Sequence, residues 1–168
     1  MRTQNITANG DAVRDYRDAL GKFGTGVTLI TTQTDQGPIG ITVNSFASVS
    51  LDPALVLWSV AKKSGRYAAF RDATHFAIHI LAENQMELAM TFAKNANMFE
   101  APDWDLSQDN IPLAKMALAR FECANEVSHD AGDHSILVGR VLRFSQRQGQ
   151  PLLFSAGKFG TFTGNQEA

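Results

Sequence analysis

The sequence contains little cysteine, little net charge and no very long apolar run. Its 168 residues include one cysteine, Cys123, which excludes an intramolecular disulfide and suits a reducing compartment. The formal net charge of -2 provides no basic field, so we expect neither nucleic acid nor a membrane surface as a partner. The run PALVLWSVA is too short to cross a bilayer, and the N-terminus lacks the apolar stretch of a secretory signal. These features predict a cytoplasmic protein.

Common catalytic and nucleotide-binding motifs are also missing. The sequence has no Walker motif, no Gly-x-Ser-x-Gly elbow and no Cys-x-x-Cys pair. Gly21, Gly24 and Gly26 follow a predicted helix and precede a strand, which reverses the dinucleotide-binding order and favours a helix end with a turn. No nucleophile with a base and no pair of acid–base carboxylates stands out. If the chain is an enzyme, a cofactor is expected to carry the chemistry.

The histidines and the cysteine have simple structural interpretations. The segment HDAGDH, residues 129–134, matches no helix-borne zinc signature, and its aspartates and glycine suit a hairpin turn. We therefore predict a turn there and no metal site. His75 and His79 fall on one face of the strand HFAIHIL, where structural histidines are favoured, and Cys123 is interpreted as a small buried apolar residue.

Hydrophobic periodicity predicts one domain at residues 11–168, after a loose polar tail at residues 1–10. Strands are predicted at VTLITTQ, IGITV, LVLWSVA and HFAIHIL, and two more are predicted to flank the polar hairpin tip SHDAGD. LVLWSVA is apolar on both faces, which is typical of a central strand. Together with two or three helices, these strands indicate an α+β domain on a mainly antiparallel barrel.

Two helices have recognisable starting signals. Asp11 is predicted to cap a helix in which Val13, Tyr16 and Leu20 share one apolar face. The segment ENQMELAMTFAKNA is the clearest helix, with Asn84 at the N-cap position and Glu87 three residues later.

Small polar residues follow the strand GITV in unusual number. Hydroxyl and amide side chains recur at Thr42, Asn44, Ser45, Ser48 and Ser50. The segment KKSGRY, about twenty residues later, adds hydroxyl and cationic groups at Lys62, Lys63, Ser64 and Arg66. A solvated basic loop is the simpler interpretation of KKSGRY alone. Taken together, the two segments indicate a planar, phosphate-bearing ligand at a barrel edge.

The sequence strongly resembles the flavin reductase-like family, whose fold is the FMN-binding split barrel. The resemblance runs from about Tyr16 to Gly160, in family order. Its two most specific phrases are GITVNSFASVSLDP and GDHSILVGRV, and weaker ones include FGTGVTLITT and PLLFSAGKFG. The resemblance implies an α+β fold, a mainly antiparallel split barrel with a few flanking helices. It also implies an NAD(P)H:flavin oxidoreductase that supplies reduced flavin to a partner monooxygenase.

The resemblance also implies a set of site residues. FMN, or FAD instead, would lie with its ring against the backbone of Thr42, Val43, Asn44, Ser45 and Phe46. The ribityl-phosphate would be lined by Ser48, Ser50, Lys63, Ser64 and Arg66. His134 would sit beside the reactive face of the flavin and help to place the nicotinamide of NADH or NADPH, and Phe159 would help to cover the site. Homodimers are typical of the family, with each flavin near the subunit interface.

Four departures from the family pattern bear on the preferred flavin more than on the fold. Ala54 replaces a second proline, and Arg66 occupies a slot that usually holds Thr or Ser. His79 stands where Asn is common, and Asn110 replaces a common glycine. Arg66 would either bind phosphate in a bidentate manner or point to solvent.

Two other functions remain open at the level of sequence. One is a flavoprotein that retains FMN and reduces another acceptor, such as a corrinoid or a ferric complex. The other is a non-enzymatic flavin-binding or electron-relay protein. Under the family resemblance, the phrase Gly132-Asp133-His134 favours use of a nicotinamide and so argues against simple storage.

Overall fold

The structure, a computed structural model, describes residues 6–7, 10–100 and 103–164. Most of the predicted tail at residues 1–10 therefore lies outside the described residues, as do the last four residues of the predicted domain. The described chain folds into three α-helices and a mostly antiparallel set of strands, which confirms the predicted α+β class. None of the described helices is long and apolar enough to span a membrane.

The elements follow one another with short connections. The helices are α1 Val13–Leu20, α2 Tyr67–Arg71 and α3 Met86–Lys94, and α1 and α3 are preceded by 3-10 turns at Gly10–Ala12 and Glu83–Gln85. The strands are β1 Thr25–Gly26, β2 Thr28–Thr34, β3 Gly37–Val43, β4 Ala47–Leu51, β5 Ala54–Ala61, β6 His75–Ile80, β7 Trp104–Leu106, β8 Pro112–Ala114, β9 Ala119–Ala131, β10 His134–Gln146, β11 Leu153–Ser155 and β12 Lys158–Gly160.

Seven strands form the main sheet, in the order β3-β2-β6-β9-β10-β5-β4, and every neighbouring pair is antiparallel. Its two edge strands, β3 and β4, are consecutive in the chain and are joined only by residues 44–46. Because an extended chain advances about 3.5 Å per residue, this link spans at most about 14 Å. The sheet must therefore curl until its edges approach each other, which produces the predicted barrel, split between β3 and β4.

The core occupies both sides of β2. Ile30 packs in the barrel interior with Trp58, Phe76 and other buried residues, whereas its neighbour Leu29 packs on the opposite side with Phe92 of α3. Such alternation is the expected side-chain geometry of a strand. β5 is less central than predicted: it lies second from the sheet edge, and only alternate residues along it are fully buried.

Close packing of β3 against α3 depends on a glycine. A Cβ atom added to Gly40 would lie 2.6 Å from Cδ1 of Phe92, far inside van der Waals contact. The absence of a side chain at Gly40 therefore lets the strand lie directly against the aromatic ring.

The start of α1 differs from the prediction. The helix begins at Val13 after a 3-10 turn, with Ala12 at the N-cap position, whereas the side chain of Asp11, the predicted cap, lies outside the described part of the chain. The helix has no buried residue, and its predicted apolar face at Val13, Tyr16 and Leu20 is exposed. This face is therefore not part of the core of a single chain.

The start of α3 also differs from the prediction. The predicted cap residue, Asn84, lies inside the 3-10 turn, and the α-helix begins at Met86. Instead, Oε1 of Gln85 accepts a hydrogen bond of 3.0 Å from the Ala82 amide, while the Gln85 amide donates to the Ala82 carbonyl at 2.9 Å. Because this reciprocal pair caps the 3-10 turn at Ala82, two residues before Asn84, the Asn84–Glu87 capping box does not form.

The backbone conformation of Asn110 accounts for one departure from the family pattern, the asparagine in place of a common glycine. Its φ angle is +57°, in the left-handed region that glycine enters freely and that asparagine tolerates better than most residues. The turn is held by Ser107, whose hydroxyl accepts hydrogen bonds from the amides of Asp109 at 3.1 Å and Ile111 at 3.0 Å. Asparagine can therefore replace the common glycine without changing the turn.

Candidate active site

The outer edge of β3 leaves backbone groups open beside the split of the barrel. The Gly40 amide donates to the Ala96 carbonyl at 2.7 Å, so the backbone groups of Gly40 point away from β2. Because these groups alternate in direction along a strand, those of Thr42 also face away from β2. The Thr42 hydroxyl donates to the Ala89 carbonyl of α3 at 2.7 Å. Thr42 thus presents its backbone at the edge, while its side chain fixes the strand to α3.

The link between β3 and β4 is tied to β5. The Ser45 hydroxyl accepts a hydrogen bond of 2.9 Å from the Ser59 amide and donates to the Ser59 carbonyl at 3.2 Å. The neighbouring residue Asn44 is exposed. The link therefore has a fixed path, and the small side chains of Asn44 and Ser45 leave room above it.

His134 reaches the same region from the β9–β10 hairpin. The strands are longer than predicted, and the turn consists of Gly132, at φ +66°, and Asp133. Nδ1 of His134 lies 2.7 Å from Oδ1 of Asp133, and this hydrogen bond lowers the pKa of the Asp133 carboxyl. A carboxylate can only accept, so Nδ1 carries the proton in this contact and Nε2 is left for other partners.

A cleft of about 380 Å³ lies between the edge strand, the link and the hairpin. It brings together six residues predicted for the site: Thr42, Val43, Asn44, Ser45, Ser64 and His134. Ile41, Ser59, Val60 and Ala61 complete the lining. No sequence pattern marks Ser59 as a site residue, because its position depends on the register between distant strands.

The loop that joins β5 to α2 forms one wall of the cleft. The Ser64 hydroxyl accepts a hydrogen bond of 3.2 Å from the Arg66 amide. Nη1 of Arg66 turns inward and donates to the carbonyls of Gly40 at 3.2 Å and Phe92 at 2.5 Å. Burial lowers the pKa of this guanidinium. The alternative in which Arg66 points to solvent is therefore wrong, and the side chain ties β3, α2 and α3 together.

Other predicted site residues lie outside the lining of this cleft. Ser48 and Ser50 are on β4, and Lys63 is exposed in the β5–α2 loop. Phe159 packs against Phe154 on β11, with ring centroids 5.2 Å apart. The structure therefore does not bring these four residues into the lining of this cleft.

A second cleft of about 480 Å³ adjoins the first, and the two share Asn44 and Ser45. Phe46, another predicted site residue, lines this second cleft together with Phe23 and Phe154. Phe46 also stacks on Phe121, with ring centroids 5.9 Å apart. Sequence reasoning missed the second cleft, because Phe23 and Phe154 lie far apart in the chain.

His79 lies away from both clefts, in the packed face of β6. Its Nδ1–H donates to the Leu29 carbonyl at 2.9 Å, and Nε2 has no hydrogen-bond partner in the described part of the chain. Complete burial lowers the pKa of the imidazole to about 4, so the ring is neutral near pH 7. A structural role fits this environment.

We expect His79 to make folding stability depend on pH. Its folded pKa of about 4 lies below the ordinary histidine value of 6.5, so the unfolded chain binds more protons between these values. Stability therefore falls as the pH drops from 6.5 towards 4, by about 2 kcal/mol at pH 5. Chemical denaturation of the wild type and His79→Asn at neutral pH and pH 5 measures this loss. Equal losses in the two proteins would contradict the assignment.

Comparisons with known proteins place the chain among flavin reductases. The family model described as flavin reductase like domain matches residues 20–163. The chain is 54% identical over 154 residues to FMN reductase (NADH) SmoA of Agrobacterium fabrum, with coverage of 92% of this chain and 88% of that protein. It is 50% identical over 135 residues to the reductase component of flavin-dependent trigonelline monooxygenase from Acinetobacter baylyi. That match covers 79% of this chain but only 44% of the relative.

A solved structure extends the similarity to the whole fold. The NADH:FAD oxidoreductase SgcE6 of Streptomyces globisporus C-1027 matches with a TM-score of 0.89 and 32% identity, over 99% of this chain and 97% of that one. The same protein has also been solved in complex with NAD and FAD fragments. This similarity agrees with the split-barrel fold.

Proposed function

The chain belongs to the flavin reductase-like family, and we propose that it is an NAD(P)H-dependent flavin reductase that acts on FMN or FAD. The observation that carries the proposal is the meeting of an open strand edge, a link of small residues and His134 around one cleft. SmoA is named as an NADH-dependent FMN reductase, and its similarity extends over most of both chains. NADH is therefore the nicotinamide that we favour.

The residues of the cleft suit a flavin. The Thr42 backbone faces the open edge of β3, where it can bond the polar rim of a planar ring. Asn44, Ser45 and Ser64 are small and polar, so a ring can approach the backbone closely. A bound flavin would supply the electron acceptor for oxidation of the nicotinamide.

The protein's own residues bind and position the two ring systems. We assign the strand edge and the link to the flavin ring, and Ser64 with the exposed Lys63 to a phosphate. Ser48 and Ser50 extend the same polar edge along β4. We assign His134 to the nicotinamide, because its ring is held by Asp133 and lines the cleft. Such alignment of reactants lowers the barrier without an acid–base pair.

We further propose a monooxygenase as the consumer of the reduced flavin. The support is the relative named as the reductase component of a flavin-dependent trigonelline monooxygenase. The match covers only 44% of that relative. A reductase that supplies reduced flavin to a separate monooxygenase is expected to release that flavin readily.

We also propose that the chain forms a homodimer. Large apolar side chains are exposed on α1, and two more stand out on the sheet: Leu51 is 96% exposed and Phe144 is 70% exposed. Apolar groups of this size are commonly covered by a partner. Sedimentation should give a mass twice the 18.3 kDa of one chain, and a monomer would contradict the proposal.

Oxidation of NADH and NADPH by the purified protein tests the activity. We expect turnover that requires added flavin, faster with NADH than with NADPH. Comparison of FMN with riboflavin shows whether the phosphate is recognised. Absence of turnover with FMN, FAD and riboflavin would contradict the proposal. The purified protein could instead retain its own flavin and turn over rapidly without added flavin. That result would contradict the proposal that the protein releases its flavin readily.

A further inference from the structure

A chain of polar side chains lies behind His134, outside the cleft. The Ser135 hydroxyl is completely buried and donates to Oδ1 of Asp130 at 3.0 Å. Since its only proton is used there, it accepts the hydrogen bond that joins it to the Tyr67 hydroxyl at 2.9 Å. Nζ of Lys62 forms an ion pair with the same Asp130 oxygen at 3.3 Å. These four residues, Tyr67, Ser135, Asp130 and Lys62, are called the hairpin clamp.

The hairpin clamp joins two separate parts of the chain. Asp130 and Ser135 lie on β9 and β10, on either side of the turn that precedes His134. Lys62 belongs to the loop after β5, and Tyr67 is the first residue of α2. A backbone hydrogen bond of 2.9 Å from the Lys62 amide to the Asp133 carbonyl reinforces the connection.

His134 depends on this connection for its position. Its one side-chain hydrogen bond among the described residues is to Asp133, which belongs to the same turn, and the ring is 44% exposed. The backbone of His134 pairs with Ala131 of β9 and with Ala61 of β5, so any further restraint on the ring acts through the position of this turn. The loop on the other side of the hairpin clamp carries Ser64, another residue of the lining.

We propose that Tyr67, Ser135 and Asp130 are positioning residues of the reductase: they hold the hairpin turn against the β5–α2 loop and so keep His134 aligned. This inference rests on the proposed function. None of the three side chains lines the cleft, so each acts through His134 and not through contact with a ligand. The hydrogen bonds that Asp130 accepts from Ser135 and Lys62 favour its ionised form and lower its pKa.

The main test removes the central hydroxyl with Ser135→Ala. A matched control is Ser145→Ala, which removes an exposed hydroxyl of the same strand that accepts a hydrogen bond from Nε of Arg120 at 3.0 Å. For each protein, three quantities are measured: the limiting rate of FMN reduction by NADH without oxygen, the dissociation constant of FMN, and the denaturant midpoint.

We expect Ser135→Ala to slow FMN reduction roughly 10-fold, with the dissociation constant of FMN changed by less than about two-fold. Ser145→Ala should leave both quantities close to those of the wild type. A second comparison separates a loss of His134 positioning from a loss of folding stability. Asp130→Asn keeps an acceptor for Ser135 and should retain more of the rate than Asp130→Ala.

Several results would overturn the inference. A normal rate in Ser135→Ala, even with a lower denaturant midpoint, would leave only a structural role for the hairpin clamp. A parallel loss of FMN affinity would indicate collapse of the whole cleft. A wild-type protein that reduces no flavin would instead contradict the proposed function, whereas slow reduction confined to the variants supports the positioning role.

Discussion

The variant His134→Ala is expected to reduce FMN with NADH roughly 10- to 100-fold more slowly than the wild type, with FMN affinity changed by less than about two-fold. The expectation follows from the position of the ring. His134 lines the cleft with Nε2 available, but the backbone of β3 and the link lie on a different wall. Loss of the imidazole should therefore disturb the nicotinamide more than the flavin.

The natural control for His134→Ala is His129→Ala. His129 lies on β9 in the same hairpin and is exposed, but it does not line the cleft. Rapid mixing without oxygen gives the rate of flavin reduction, and fluorescence titration gives the affinity. A rate equal to that of His129→Ala would contradict the role of His134. A large loss of FMN affinity in His134→Ala would instead assign His134 to flavin binding.

The second large effect is expected in the stability of Arg66→Ala without any flavin. The guanidinium satisfies the carbonyls of Gly40 and Phe92, and Phe92 lies in the last turn of α3, where carbonyls lack helical partners. Hydrogen bonds to charged groups contribute about 1.5–3 kcal/mol each, and buried carbonyls without partners add a penalty. We therefore expect the free energy of unfolding to fall by about 2–3 kcal/mol.

The matched control for Arg66→Ala is Arg140→Ala. Arg140 forms an exposed pair with Glu126, and such pairs contribute at most about 1 kcal/mol. Urea denaturation of both variants without flavin makes the comparison. If Arg66 only bound a phosphate, Arg66→Ala would leave the free energy of unfolding unchanged and would weaken the binding of FMN more than that of riboflavin. That result would contradict the structural role.

Local sequence patterns predicted much of the fold. The alternation in HFAIHIL correctly placed Phe76 and Ile78 in the core and His79 on the opposite face, because side-chain direction in a strand has a period of two. The predicted hairpin also forms, although its turn is shorter than expected. The family phrases correctly identified the flavin reductase-like fold.

Long-range contacts decided the features that the sequence did not reveal. The direction of Arg66 depends on carbonyls at Gly40 and Phe92, each 26 residues away, so KKSGRY alone was compatible with solvent or with phosphate. The hydrogen bonds of Ser45 to Ser59 depend on barrel closure. The spacing in α1 predicted an apolar face but not its exposure, because amphipathic spacing does not say whether a helix packs on its own chain or on another.

Hydrogen exchange of backbone amides, with and without FMN, tests the central claim that the flavin lies against the edge of β3. The account predicts slower exchange on FMN binding at residues 42–46 and 61–64, with little change in a separate groove lined by Leu88, Met98 and Trp104. Protection in that groove, with none at the β3 edge, would contradict the account.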